Sequence, residues 1–112
     1  MRILLPGLMA VATAVGACVH VPPASEPGFR ATYRCESGRR IQAWYPSDGA
    51  AVVVHGGRTL RMTLAVSASG ARYVGGGLEW WTKGSGPGSP GTLFRHLSDG
   101  TSGEVVEQCE QE

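Results

Sequence analysis

Ser69 and Lys83 are the two side chains whose chemistry stands out in this sequence. Both lie in "SGARYVGGGLEWWTKG" (69–84), and Lys83 is the only lysine of the chain. A serine hydroxyl at a hairpin tip offers one donor and two acceptor sites, whereas an ammonium at a strand end offers donors and positive charge only. Together they complement two carboxyl groups of which one is protonated and one ionised, the pair that glycosidase clefts contain. Gly70 suits the hairpin turn, and Gly75 to Gly77 suit a loop or bulge with positive φ. If the stretch alternates as a strand, one of Trp80 and Trp81 faces inward and the other faces out beside Lys83.

Other chemistry finds little footing. His20, His55 and His96 stand at none of the spacings of a zinc site. They read as surface histidines of a β domain. Ser, His and Asp all occur, but without a "GxSxG" elbow. Glycine motifs that cradle phosphate need a strand-to-helix context, which this pattern lacks. The reading is a protein that is not an enzyme, with no metal, no cofactor and no small-molecule substrate. A formal net charge of +1 over 112 residues also gives no compositional support for nucleic-acid binding.

The elements that must position Ser69 and Lys83 are strands. "FRATYRCE" sets Phe29, Ala31, Tyr33 and Cys35 on one face, and "TLRMTLAV" does the same with Leu60, Met62, Leu64 and Val66. Turn signals separate such runs: "SG" at 37–38, "PSDG" at 46–49, "GG" at 56–57, "SG" at 69–70, "GGG" at 75–77 and "SDGTSG" at 98–103. The pattern predicts eight short strands near 29–36, 39–45, 50–55, 58–67, 71–75, 78–83, 92–97 and 104–109. Hairpin spacing makes them an antiparallel meander. Closure into a barrel would remove the exposed edges, and a two-sheet sandwich is the competing arrangement. Periodicity does not separate the two.

Residues 1–17, "MRILLPGLMAVATAVGA", read as an export signal, with one basic residue ahead of an apolar run. "VGAC" (15–18) resembles a bacterial lipobox, which would make Cys18 a lipid-modified N-terminus. Residues 18–28 then form a proline-rich tether and 29–112 the folded domain. Without Arg2 the chain has nine basic and nine acidic residues. With Cys18 lipidated, Cys35 and Cys109 remain to pair in an oxidising compartment.

At "SGARY" (69–73) and "WWTKG" (80–84) the chain resembles the membrane-bound or periplasmic inhibitors of c-type lysozyme, which carry "SGxxY" and then "YxxKG". The likeness extends to "YRCESG" (33–38) and the late cysteine, and so covers about residues 33–109. It implies an eight-stranded antiparallel β-barrel that plugs the lysozyme cleft. Ser69 and Lys83 would reach the catalytic carboxylates, within a binding set of Ser69, Gly70, Tyr73, Trp80, Lys83 and Gly84. Tyr73 and Trp80 would shape or flank the inserted loop. Two features depart from the pattern: Trp80 stands for a tyrosine, and "SGPGSPG" follows as a flexible loop. Val19 after the lipid cysteine resembles signals for the outer membrane, facing the periplasm. The alternative expectation is an envelope β-barrel lipoprotein with a structural or small-ligand-binding role.

Overall fold

The computed structural model describes residues 28–46 and 48–112. The expected export signal, Cys18 and the tether lie outside the described residues, except for Gly28, which opens the first strand. Eight strands follow in order: β1 (Gly28–Cys35), β2 (Arg40–Pro46), β3 (Ala50–His55), β4 (Arg58–Ala65), β5 (Ala71–Gly75), β6 (Leu78–Thr82), β7 (Pro90–His96) and β8 (Ser102–Gln111). Each pairs antiparallel with the next, and β8 returns to β1 through Tyr33–Gln111, Arg34–Glu110 and Cys35–Cys109. The barrel is therefore closed, and the sandwich is excluded. A disulfide joins Cys35 to Cys109 across that last seam.

Strand ends differ from the sequence pattern where turns or partners intervene. β4 stops at Ala65 instead of 67, because the chain turns into the loop that carries Ser69. Of its alternating face, Leu60 and Met62 are buried, whereas Leu64 is 50% and Val66 90% exposed. Phe29, in line with buried Ala31 and Tyr33, is likewise 51% exposed at the start of β1. β8 is longer than expected at both ends, since its register with β7 extends from Ser102 to Glu110 across two shifts.

Trp80, Ile41, Met62, Leu93 and Val53 fill the interior. A polar chain runs among them: the Trp80 indole N–H donates to the Tyr45 hydroxyl at 2.8 Å, which lies 2.8 Å from the Tyr33 hydroxyl. Their mutual hydrogen bonds satisfy groups that would otherwise be costly to bury. Gly91 makes the room. A Cβ there would sit 2.6 Å from Trp80 Cη2 and 3.3 Å from Tyr33 Cδ1, so the tryptophan lies where only a glycine backbone can pass. A barrel of eight strands packed in this way is a core, not a container.

Antiparallel order sorts the connections between the two ends. One end carries the β2–β3 turn, the β4–β5 loop (66–70) and the β6–β7 loop (83–89). The other carries the turns at 36–39, 56–57 and 76–77 and the β7–β8 loop (97–101). Ser69 and Lys83 thus share an end because two strands, β5 and β6, with one reversal between them, separate them.

Candidate inhibitory rim

The β5–β6 ladder ends with Ala71 opposite Thr82. One residue beyond, Gly70 has φ +72°, and a Cβ there would collide with the Thr82 carbonyl and come within 3.0 Å of Lys83 Cγ. Only glycine fits both the backbone angle and the space. The "SG" of one motif and the "KG" of the other are thereby pressed together. Ser69 and Lys83 are both exposed.

Side chains hold the loop from beneath. The Trp81 indole N–H donates to the Ser69 carbonyl at 2.8 Å. Ser67 Oγ donates to the Gly70 carbonyl at 2.9 Å, and Arg72 Nη1 to the Val66 carbonyl at 3.3 Å. Lys83 is placed by its own backbone, whose N–H donates to the Pro90 carbonyl at 3.2 Å. Among the described residues, no carboxylate pairs with its ammonium.

Gly84 also has positive φ, +76°. The glycine–proline loop after it is tied down, contrary to the flexible loop expected from its composition. Gly88 N–H donates to the Gln111 carbonyl at 2.7 Å, Gln111 N–H to the Ser89 carbonyl at 2.8 Å, and Gly86 N–H to Gln111 Oε1 at 3.0 Å. The end of β8 therefore anchors the segment next to Lys83.

Tyr73 and Trp80 stand opposite each other in the β5–β6 register and share the inner face. Tyr73 is half-buried, its ring 5.6 Å from that of Tyr45, and burial raises the pKa of its hydroxyl. Trp80 is 0% exposed. So buried, Trp80 offers no exposed surface of its own to a partner. The outward tryptophan is Trp81, in edge contact with Phe94 at 6.1 Å and beneath the Arg72 guanidinium at 5.9 Å.

The histidines also differ from expectation, for both described ones are partly buried against buried carboxylates. His55 Nε2 lies 2.9 Å from Glu107 Oε2. His96 Nδ1 lies 2.8 Å from Glu79 Oε2, and Glu79, though on the outer face, is 0% exposed. Arg72 Nε at 2.8 Å and Ser102 Oγ at 2.7 Å donate to its other oxygen. Burial pushes the Glu79 carboxyl up, but these three hydrogen bonds and the Arg72 charge outweigh it and hold the pKa at about 2. Strand alternation gave no hint of this cluster, since an outward glutamate ordinarily meets water. The "SDGTSG" loop that folds over it was legible only as a turn.

The two loops thus present a hydroxyl and an ammonium on one rim of a small closed barrel. Comparison with known proteins gives the class its name. The family described as membrane-bound lysozyme-inhibitor of c-type lysozyme matches residues 33–102. A Cupriavidus necator protein named membrane-bound lysozyme inhibitor of C-type lysozyme is 39% identical over 91% of this chain and 88% of its own. A Pseudomonas aeruginosa protein of the same name is 43% identical over 46% of this chain and 44% of its own. The crystal structure of P. aeruginosa MliC in complex with hen egg white lysozyme superposes with a TM-score of 0.53 at 27% identity, covering 90% of this chain and all of that one. The chain belongs to the family of membrane-bound inhibitors of c-type lysozyme. By description, that family inhibits lysozyme and is not one of enzymes.

Proposed function

We propose that this protein inhibits c-type lysozyme by seating the rim of the β4–β5 and β6–β7 loops in the enzyme's cleft. The Ser69 hydroxyl and the Lys83 ammonium would meet the two catalytic carboxyl groups and occupy space that substrate sugar needs. The observation that carries this reading is the packing of Gly70 on the Lys83 stem, which brings both motifs to one exposed rim, where no described carboxylate pairs with the ammonium. The P. aeruginosa relative, solved bound to hen egg white lysozyme, supports the choice of partner. A ligand-carrying barrel would need interior space, which Trp80, Ile41, Met62 and Leu93 occupy. Titrating the purified protein against hen egg white lysozyme in a cell-wall lysis assay tests the reading; undiminished lysis at saturating protein would refute it.

The site of action follows from the N-terminal pattern. The resemblance of "VGAC" to a lipobox supports Cys18 as the lipid anchor, and Val19 supports an outer-membrane anchor facing the periplasm, where the protein would guard peptidoglycan. Cys18→Ser should move the protein from the membrane to the soluble fraction, and identical partitioning of the two forms would remove the anchor from the proposal.

A further inference from the structure

Trp81 and Arg72 stand opposite each other on the outward face of the β5–β6 ladder. Both reach for backbone carbonyls of the 66–70 loop. The Trp81 indole N–H binds the carbonyl of Ser69 itself at 2.8 Å. Arg72 divides its donors three ways: Nε to Glu79 Oε1 at 2.8 Å, Nη1 to the Val66 carbonyl at 3.3 Å and Nη2 to the Gly100 carbonyl at 3.3 Å. Glu79 is in turn fixed by Ser102 and faces His96, so the guanidinium is set by a buried carboxylate before it meets the loop. A rigid planar fork can serve three acceptors at once, which an ammonium on a flexible stem cannot.

We infer that Trp81 and Arg72 are positioning residues of the inhibitory rim, holding the loop at Val66 and Ser69 so that the Ser69 hydroxyl is presented in its bound geometry. The inference rests on the proposed inhibition of lysozyme for its consequence, but not for its geometry. A loop ordered before binding loses less freedom on association, and the difference appears as affinity. The Glu79 cluster links this order to the β7–β8 loop, since Ser102 and the Gly100 carbonyl both belong to the cover over Arg72.

Trp81→Phe is the cleanest test, because it removes the indole N–H and keeps an aromatic ring against Phe94. Loss of that one bond should weaken inhibition by about 3- to 10-fold. In a Ser69→Ala background the same change should have less than about a 2-fold effect, because the hydroxyl being positioned is gone. A purely structural role would weaken both backgrounds equally, and that result overturns the inference. Arg72→Lys should behave like Trp81→Phe, providing a second variant should the first fold poorly. Backbone order parameters at Ser69 and Gly70 give a readout that needs no lysozyme. They should fall from a rigid value near about 0.85 toward about 0.6 in Trp81→Phe. Unchanged order overturns the inference even if the parent inhibits. A parent that fails to inhibit, with order lost as expected, refutes the proposed function and leaves the positioning intact.

Discussion

At the residue scale, the proposed inhibition rests on two side chains with unequal stakes. Lys83 would place a full charge against a carboxylate from which water is excluded, so Lys83→Ala should weaken inhibition by about 2–5 kcal/mol, much of it from the partner charge left unpaired. Ser69→Ala removes a neutral hydroxyl and should have the smaller effect, about 1–3 kcal/mol. Arg58→Ala, beside the β3–β4 turn at the opposite end of the barrel, should leave the inhibition constant unchanged. Inhibition constants and melting midpoints of the three variants decide it; parent-like inhibition by both rim variants would remove the mechanism from these residues. That the two side chains come to one rim follows from the β5–β6 ladder and Gly70, which the motif spacing sets out. The role of Trp81 was not legible. Alternation says which way a side chain points, but not that an indole at a strand end reaches the carbonyl of Ser69.

At the element scale, the eight strands were readable from period-two runs and glycine turns, with errors only at their ends. Val66 continues the alternation of β4 past Ala65, the last residue of the strand with a partner, so pattern alone overran its end. The tie between β5, β6 and the β7–β8 loop through Glu79 was invisible for another reason: it joins residues far apart in sequence on a face that should be wet. Its consequence is acid sensitivity. The Glu79 pKa of about 2 lies below its ordinary 4.5, so its stabilising effect is complete above that ordinary value and is lost as the pH falls toward 2. The melting midpoint of the parent should therefore drop more steeply between pH 4.5 and 2 than that of Glu79→Gln, which starts lower and has no charge there to lose. Parallel acid curves for the two proteins would show that the cluster does not stabilise the fold through ionisation.

At the scale of the whole molecule, closure distinguishes this barrel from a sandwich, and closure is a property of one seam. β1 pairs with β2 over seven positions but with β8 over only three, the last of them Cys35 opposite Cys109. Hairpins form locally, whereas this seam joins the two ends of the domain, which is why periodicity left it open and the cysteines pointed to it. The disulfide closes a separation of 74 residues. Restricting an unfolded loop of that length stabilises the fold by about 4.5 kcal/mol in the chain-entropy account. For a domain of this size that is a large share of the total, and its loss should lower the melting midpoint by roughly 20 °C. The seam also bears on the rim, because Gln111, opposite Tyr33 in β1, anchors the loop after Lys83. A Cys35→Ala/Cys109→Ala variant should therefore melt early, lose amide protection first at Gln111 and Gly88, and still inhibit lysozyme at low temperature while folded. Thermal denaturation with hydrogen exchange measures the first two, and an inhibition titration at low temperature measures the third. An unchanged midpoint would show that strand pairing alone closes the barrel.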